Sequence, residues 1–345
     1  MAVLYIREQG AVVTKLGERI VVKKNLNTLL DLPVFNADGL AVFGNVQITT
    51  QALMMLLENG CDITYFTRSG KYVGHTAAEA SRNIFLRFEQ YQCYLDDEKR
   101  LAMARTIIDS KICNQEVLIK RHRWDTEEDS ADTAGNDANK PDFTDAYDWR
   151  RDLKRMEELR TSLADQKTPN EILGVEGMCS NIYFSAFGHM IRGDFDFHGR
   201  NRRPPKDPVN VILSLAYTFL TREMCSALDT ASFESYLGFL HGIRYGRKSL
   251  ALDMIEEFRQ PAVDRLVLLL FGKRMLSQYD FDLEDDRVVL NEEGFRKFCQ
   301  EYERWMSGTN SLAGDNFHAR IRDQVQKMKH SIIEGEHYKP YQLRQ

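Results

Sequence analysis

The sequence predicts an α+β, multi-domain fold in which a small β-rich N-terminal domain precedes a larger all-α domain. Chain length is the first observation, because 345 residues are long for one domain and two are the natural expectation. The second is a change of hydrophobic period. Short runs rich in β-branched residues fill the first 76 residues, whereas apolar residues from about Ala77 onward recur at spacings of three and four, as in helices. We therefore predict domains at 1–76 and 77–345.

Turn residues divide the N-terminal domain into short elements. Leu16-Gly17-Glu18 separates two runs rich in valine and isoleucine, a pattern typical of a hairpin. Thr49 or Thr50 can cap a short helix that Gly60 ends. The predicted strands are Ala11–Lys15, Arg19–Lys24, Gly39–Phe43 after a turn at Asn36–Asp38, Cys61–Thr67, and a strand from Lys71 after the turn at Arg68–Gly70.

Helix-start signals recur in the second domain. Thr168-Pro169 with Glu171 forms a capping-box pattern that has proline at the first helical position. Asp207-Pro208 is a similar start. We predict Ser249 as the cap of a further helix, and a kink or break at Pro261. The helix after Thr168 should bury one apolar face, made of Ile172, Val175, Cys179 and Ile182.

The net charge of −5 is unevenly distributed. Residues 125–148 contain nine acids and one lysine, a net −8, which leaves +3 on the rest of the chain. That segment is polar and poor in aliphatic residues, so we predict a flexible surface insertion. Net charge therefore neither supports nor excludes a nucleic-acid partner, and local basic patches must decide.

The sequence predicts a cytoplasmic protein with no membrane contact. The start, MAVLYIREQG, lacks the basic and apolar regions of a signal peptide, and the apolar run Leu266–Phe271 is too short to span a bilayer. The six cysteines lie far apart without a CxxC pair, which argues against a disulfide framework or a zinc knuckle.

An acidic cluster in GFLHGIRYGRKSLALDMIEEFRQP, residues 238–261, suggests a metal site. A helix would place Asp253, Glu256 and Glu257 on neighbouring parts of one face, with His241 leading into it. Acids in this pattern usually form a solvated face, but the surrounding apolar residues leave little room for one. Crowded acids repel one another unless a cation or a basic group compensates them. We favour a metal ion, and carboxylates with one imidazole suit Mg²⁺ or Mn²⁺ better than Zn²⁺.

Two single residues have a functional and an ordinary interpretation. Glu176 lies in GVEG, where Gly174 and Gly177 would let a substrate or another backbone approach; alternatively, it is a surface glutamate at a tight helix crossing. His241 is a lone histidine, which is more often structural than a ligand.

Basic residues lie close to the acidic cluster in the sequence. HGRNRRPPKDP contains Arg200, Arg202, Arg203 and Lys206, and the turn after His241 contains Arg244, Arg247 and Lys248. Arginine-rich loops bind phosphate in many proteins and are only solvated in many others. Basic residues beside acids form the charge pattern expected where phosphate meets a metal ion.

Five segments, in order, resemble the CRISPR-associated spacer integrase family, the first-numbered protein of that system, over nearly the whole chain outside 125–148. They are GLAVFGNVQITTQALMMLLENGCDITYFTRSGKYVG, KICNQEVLIKR, GVEGMCSNIYFSAF, DPVNVILSLAYTFL and LGFLHGIRYGRKSLALDMIEEFRQPAVDR. The resemblance implies a β-rich N-terminal domain and a helical catalytic domain, in agreement with the composition.

The resemblance also implies site residues and partners. Metal ligands are expected at Glu176, His241 and Glu256, with Asp253 as a further acid lining the site and Asn210, Ser214 and Tyr217 along the DNA end. The implied activity is insertion of short duplex DNA into a repeat array by attack of a 3′-hydroxyl on a phosphodiester. The implied partners are double-stranded DNA, a second copy of the chain through the N-terminal domain, and a small ferredoxin-like dimer of the second CRISPR-associated protein in a four-plus-two complex.

Two other functions remain open from the sequence. Water in place of the hydroxyl would make the protein a structure-specific DNA endonuclease, and loss of the chemistry would leave a DNA-binding scaffold with a structural metal. Within the acidic cluster, we predict that Glu256 binds metal, that Asp253 orients a ligand or joins it, and that Glu257 pairs with Arg259 or Arg265. We also expect that removing one crowded acid relieves repulsion and leaves folding intact.

Overall fold

The computed structural model describes residues 2–77, 83–122, 147–192, 195–201, 205–284, 287–310 and 312–343. The N-terminal part contains two small sheets and one helix. Its strands are β1 (Ala2–Ile6), β2 (Val12–Leu16), β3 (Arg19–Lys24), β4 (Asn27–Pro33), β5 (Ala37–Phe43), β6 (Gln47–Ile48), β7 (Asp62–Phe66) and β8 (Tyr72–Thr76), and α1 (Thr50–Glu58) follows β6.

One sheet has the order β1-β5-β7-β8 and the other the order β4-β3-β2-β6. In the first sheet β1 and β7 both pair parallel with β5, whereas β8 returns antiparallel to β7. In the second, β2 and β3 form the expected antiparallel hairpin around Gly17, which has the positive φ of 58° that such a turn requires. Thr49 caps α1, its side chain accepting from the Ala52 N–H at 3.3 Å.

Helices dominate the rest of the described chain. They are α2 (Ile84–Leu95), α3 (Asp97–His122), α4 (Trp149–Thr161), α5 (Pro169–Met190), α6 (Pro208–Thr230), α7 (Ser249–Ile255), α8 (Arg265–Gly272), α9 (Glu292–Met306) and α10 (Phe317–Glu334). The predicted fold class, β-rich first and mainly helical afterwards, is confirmed. Thr168 and Asp207 cap α5 and α6 with proline in the first turn, as predicted.

Three local features differ from the sequence predictions. Residues 281–290 contribute an antiparallel hairpin, β9 (Phe281–Glu284) with β10 (Arg287–Leu290), inside the part expected to be wholly helical. β5 begins at Ala37, within the predicted turn, because a short 3₁₀ turn at Val34–Asn36 already redirects the chain. Ser249 is the first residue of α7 rather than its cap, since its hydroxyl donates to the Gly242 carbonyl.

The two parts share a hydrophobic core. Phe43 and Phe66 of the first sheet stack at 4.7 Å between ring centroids and pack against Phe219 of α6 and Phe295 of α9. A separate core lies between the second sheet and α1. The domain boundary at 76/77 stays a prediction, although the strands end at Thr76 and the next described helix begins at Ile84.

Helix α6 is long and apolar enough, by length and composition alone, to cross a membrane. In the fold, however, 56% of its most apolar window is buried, and its Ile212, Ala216 and Leu220 have no exposed surface. Such burial is typical of the central helix of a globular core.

The predicted insertion at 125–148 falls almost wholly outside the described residues. Its last two positions are described. Tyr147 donates to the Asp152 carboxylate, and Asp148 caps α4 by accepting from the Arg151 N–H at 2.9 Å.

Candidate active site

Two of the predicted metal ligands contact the same lysine side chain. Lys111 lies in the middle of α3, and its ammonium contacts Glu176 of α5 on one side and Glu256, just after α7, on the other at 2.7 Å. The exposed fractions of these side chains are 7% for Lys111, 21% for Glu176 and 5% for Glu256. The fold therefore brings together the two glutamates that the family resemblance implies as ligands.

Arg259 adds a second cation to this cluster. Its Nε donates to Glu256 at 2.8 Å, and its guanidinium lies 4.6 Å from the centre of the Tyr217 ring. Burial by itself would raise the pKa of Glu256, but Arg259 and then Lys111 outweigh that effect and hold the pKa at about 2. The pKa of Glu176 also lies below its ordinary value, because Lys111 and the Ser180 hydroxyl outweigh the effect of burial.

These pKa directions correct one expectation. Glu256 is not held beside uncompensated acids, since it accepts from two buried cations. Removing its carboxylate would leave Arg259 without this ion pair and Lys111 with Glu176 alone, instead of relieving repulsion. The crowding argument for a metal also weakens, because basic groups already compensate the acids.

The three neighbouring acids point in three directions because the helix changes form after α7. A 3₁₀ turn occupies Glu256–Phe258 and a π-helical turn occupies Arg259–Asp264, before α8 begins. Pro261 lies within the π-helical turn, where its missing N–H accounts for the predicted break. This irregular stretch lets adjacent carboxylates serve different partners.

Asp253 holds the loop that carries His241. It is fully buried, and its carboxylate accepts from the backbone N–H groups of Phe239, Leu240 and His241 at 2.6, 3.0 and 2.9 Å. The same carboxylate is 2.6 Å from Nδ1 of His241. A carboxylate only accepts, so Nδ1 carries the hydrogen and Nε2 of the neutral ring is left as a potential metal ligand. These contacts orient the His241 ring, and the predicted role of Asp253 in a metal site stays a prediction.

Glycine is required next to this carboxylate. A Cβ atom on Gly238 would lie 2.7 Å from Oδ2 of Asp253 and 2.7 Å from the carbonyl carbon of Ser249. Neither the buried carboxylate nor the backbone can easily move aside, so any larger residue at 238 would displace the His241 loop.

Glu257 does not pair with Arg259 or Arg265, contrary to prediction. It accepts from the Tyr338 hydroxyl at 2.6 Å, from Gln324 at 3.0 Å and from the Tyr341 N–H. Arg259 binds Glu256 instead, while Arg265 donates to the carbonyls of Leu312 and Ala313. Burial among neutral donors raises the pKa of Glu257 to about 7, which suits a structural carboxyl.

Gly174 and Gly177 border open space on α5. A Cβ atom on Gly174 or Gly177 would meet no atom within 4 Å, so the tight helix crossing considered for these glycines is absent. The interpretation of Glu176 as a surface residue is also wrong, because its carboxylate is bound by Lys111 and Ser180. At about 100° per residue, Gly177 lies about 100° and Gly174 about 160° around the helix from Glu176, so this open space borders another side of α5.

The donor set suits a divalent ion, although the ligands are not gathered into a closed site. Within the described residues, no group of three or more His, Cys, Asp or Glu side chains is placed to hold a metal. Glu176 and Glu256 are nevertheless held as ionised oxygen donors around one cation, and the His241 imidazole is oriented by Asp253. Oxygen donors with one imidazole are the chemistry that Mg²⁺ or Mn²⁺ accepts.

The arginine-rich loop is fixed to the start of α6. Arg200 donates to Oδ1 of Asn210 at 2.7 Å and to the Ser214 hydroxyl at 3.1 Å, and it lies 5.6 Å from the centre of the Tyr217 ring. Asn210 and Tyr217 are buried, so they could meet DNA only if this network opened. Their predicted DNA contact stays a prediction, and the structure adds that all three position Arg200. Lys206 is exposed, whereas Arg202 and Arg203 lie outside the described residues.

Only some of the basic side chains in the turn after His241 are available to bind phosphate. Arg244 is exposed beside Tyr245, while Arg247 donates to the Gly242 carbonyl and to Ser249. Lys248 forms an ion pair with Asp229 at 2.9 Å. Among the described residues, Arg244 is therefore the one of these three predicted phosphate-binding residues whose side chain has no hydrogen bond or ion pair of this kind.

Sequence reasoning did not assign roles to Lys111 and Asp264, and it offered Arg259 as a partner of Glu257 instead of Glu256. Asp264 is buried and accepts from the hydroxyls of Tyr183, at 2.7 Å, and Tyr217. Burial raises its pKa to about 6, although both phenols oppose the shift. Lys111 lies four residues after Ile107 and three after Ile108, on the same face of the helix. This spacing was a usable signal, because a cation buried on an apolar face needs an acid partner.

Known proteins resemble this chain over most of its length. A family model described as "CRISPR associated protein Cas1" matches residues 4–304. A CRISPR-associated endonuclease Cas1 of Thermus thermophilus is 32% identical over 305 residues, which cover 88% of this chain and 84% of that protein. A CRISPR-associated endonuclease Cas1 of Chlorobaculum tepidum is 32% identical over 297 residues, covering 85% of this chain and 82% of its own.

Solved structures agree in fold. A Cas1 protein from Thermotoga maritima superposes with a TM-score of 0.80 at 23% identity, covering 99% of this chain and all of its own. A casposase bound to its integration product superposes with a TM-score of 0.79 at 20% identity, covering 100% of this chain and 96% of its own. The family expected from the sequence is confirmed by the family model and the sequence relatives: the chain belongs to the Cas1 family of CRISPR-associated proteins.

Proposed function

We propose that this protein is a divalent-metal-dependent DNA integrase of CRISPR adaptation. It would join the 3′-hydroxyl of a short DNA duplex to a phosphodiester in a repeat by transesterification. The observation that carries the proposal is the meeting of Glu176 and Glu256, from separate helical segments, around one cation. Asp253, three residues before Glu256, holds the His241 loop. Family membership and the casposase-like fold give further support.

Glu176, Glu256 and Nε2 of His241 would hold the Mg²⁺ or Mn²⁺ ion. Once bound, the ion would polarise the phosphodiester and stabilise the charge on the attacking and leaving oxygens. Asp253 keeps the imidazole in the tautomer that leaves Nε2 as a ligand, and its three backbone hydrogen bonds fix the loop. Arg259 keeps Glu256 ionised and is itself fixed against Tyr217.

Local basic groups would bind the DNA backbone despite the negative total charge. Arg200 and Lys206 flank the start of α6, and Arg244 projects from the exposed turn after His241 together with Tyr245. Arg202, Arg203, Arg247 and Lys248 complete the proposed set. Such contacts would be independent of DNA sequence and weaken with salt.

The proposed assembly contains two dimers of this chain and one dimer of Cas2. A fold neighbour described as a "Cas6-RT-Cas1–Cas2 complex" supports the Cas2 partner; it has a TM-score of 0.77 at 22% identity, and the match covers 36% of that chain. Dimerisation would use the N-terminal sheets, whose edge strands β1, β8, β4 and β6 have a free side in their sheets. The proposed location is the cytoplasm.

A second candidate is a metal-dependent DNA endonuclease, because the named sequence relatives are described as endonucleases. Water would then replace the 3′-hydroxyl in the same site. The two activities differ in product, so one assay separates them.

The test is an integration assay with a labelled duplex, a plasmid that carries a repeat array, purified Cas2, and either Mn²⁺ or EDTA. We expect joined product with Mn²⁺ and none with EDTA. Glu176→Gln, His241→Ala and Glu256→Gln should each reduce joining by about 100-fold or more, whereas Glu158→Ala, at an exposed ion pair on α4, should not. Cleaved product without joined product would favour the endonuclease, and unchanged joining by Glu256→Gln would contradict the ligand assignment.

A further inference from the structure

Lys111 occupies the position where the two proposed carboxylate ligands meet. It contacts both Glu176 and Glu256, and only 7% of its side chain is exposed. A divalent ion bound by the same two carboxylates would face this ammonium across a few ångströms. The two cations therefore compete for one pair of acceptors.

The charges of the cluster make this competition strong. Glu176 and Glu256 carry two negative charges, and Lys111 and Arg259 carry two positive charges, so the four groups are neutral together. Adding a divalent ion to a neutral, poorly solvated cluster is unfavourable unless an anion accompanies it or a cation leaves. Asp253 does not change this balance much, because it is turned toward three N–H groups and the His241 ring.

Of the two cations, Lys111 is the one that can move. Arg259 binds Glu256 through Nε and lies against the Tyr217 ring, so two contacts fix it. Lys111 is a point charge on a flexible four-carbon chain, without a planar group to fix its orientation.

We propose that Lys111 is an internal counter-ion. In the absence of DNA, its ammonium pairs with the two carboxylates and suppresses metal binding. When the metal ion binds the carboxylates, the ammonium moves away and pairs with a DNA phosphate. This inference rests on the proposed function and adds a role for a residue outside the ligand set. Metal and DNA binding then reinforce each other, because the phosphate supplies the anion that both the ion and the released ammonium need. By linkage, DNA must tighten metal binding by the factor by which metal tightens DNA binding.

The experiment measures Mn²⁺ binding by the electron paramagnetic resonance signal of the free ion. The full-length protein is titrated alone and with a duplex whose 3′ ends are dideoxy, so that no joining occurs. Lys111→Met removes the charge and keeps an apolar chain, Lys111→Gln keeps a hydrogen-bond donor, and Lys120→Gln removes an exposed lysine from the same helix as a control. Circular dichroism establishes that each variant is folded.

We expect DNA to tighten Mn²⁺ binding by wild type about tenfold or more. Both Lys111 variants should bind Mn²⁺ about tenfold more tightly than wild type without DNA, and DNA should then add less than about threefold. Lys120→Gln should behave as wild type. Unchanged or weaker Mn²⁺ binding by folded Lys111 variants would overturn the inference and leave the proposed function standing, whereas no Mn²⁺ binding by wild type under any condition would overturn both.

A measurement on wild type alone guards against misfolded variants. Lysine acetylation followed by mass spectrometry reports the accessibility of each lysine. Adding Mn²⁺ and the dideoxy duplex should change the acetylation of Lys111 at least about threefold, since its ammonium leaves the carboxylates. The acetylation of Lys120 should stay the same where DNA does not cover that residue. Mn²⁺ binding with constant Lys111 labelling would refute the transfer.

Discussion

Replacing Asp253 with asparagine tests how the His241 loop is held. One carboxylate oxygen accepts from the Phe239 and Leu240 N–H groups, and the other accepts from the His241 N–H and lies 2.6 Å from Nδ1. An asparagine side chain offers one oxygen and one NH₂ group. In one orientation the NH₂ faces two backbone donors, and in the other it faces the His241 N–H and Nδ1.

The cost follows from this count of donors. Either orientation leaves at least one buried N–H without an acceptor, and a buried unsatisfied donor costs roughly 1–3 kcal/mol. The second orientation leaves one and the first leaves two, so we expect Asp253→Asn to lower the free energy of unfolding by about 1–3 kcal/mol or about 2–6 kcal/mol, respectively. In the second orientation Nδ1 of His241 can accept a hydrogen bond from the NH₂ only if the ring hydrogen moves to Nε2. A protonated Nε2 can no longer bind the proposed metal ion.

Urea denaturation gives the free energy, and ¹⁵N-resolved NMR of the histidine side chains gives the tautomer of His241. Asp282→Asn, on the exposed β9 strand, is the matched control and should change stability by less than about 0.5 kcal/mol. The reasoning fails if Asp253→Asn is as stable as this control and His241 keeps its hydrogen on Nδ1. Lower stability with an unchanged tautomer would select the first orientation of the amide.

Two further predictions concern regions outside the site. His318 lies between Glu223, at 2.8 Å, and Glu303; burial opposes protonation, but these carboxylates raise the pKa of His318 from 6.5 to about 10. The ion pairs therefore stabilise the fold fully below about pH 6.5, and this contribution, at most about 5 kcal/mol, is lost as pH rises through 10. Urea unfolding at pH 6.5 and 9.5 should show this loss in wild type and little of it in His318→Gln; equal pH dependence would contradict the assignment. Light scattering at micromolar concentration should give twice the 40.0 kDa chain mass, and a monomer mass would count against dimerisation through the N-terminal sheets.

Local signals in the sequence predicted the elements well where a single residue type decides the geometry. Gly17 makes the β2–β3 turn, and Thr168 and Asp207 begin α5 and α6 as expected, because capping and positive φ depend on adjacent residues. The β9–β10 hairpin was missed although Val288 and Val289 are β-branched. Its four-residue strands were too short to stand out between predicted helices.

The family resemblance identified Glu176, His241, Asp253 and Glu256. The fold places them in two networks: Glu176 with Glu256 around Lys111, and His241 with Asp253. What the sequence could not provide was the counter-charge. Lys111 lies far from both glutamates along the chain, and only the packing of α3 shows that its ammonium faces them. A sequence pattern of crowded acids is equally compatible with a metal and with a buried lysine, since both satisfy the same electrostatic requirement.

Glu256 and Glu257 show that the groups contacting a carboxylate, and not its position in the sequence, decide its pKa and its role. They are adjacent in one 3₁₀ turn and both are buried, yet the pKa of Glu256 is held at about 2 and that of Glu257 is raised to about 7. Glu256 faces two cations, whereas Glu257 faces the neutral donors of Tyr338, Gln324 and the Tyr341 backbone. A metal ligand must be ionised at neutral pH, and a carboxyl that holds the C-terminal segment 336–343 against the core need not be. The physical criterion for assigning an acid to metal chemistry is therefore whether its contacts are charged: Glu256 is bound by Lys111 of α3 and by Arg259, whereas Glu257 is bound by neutral donors of α10 and the C-terminal segment.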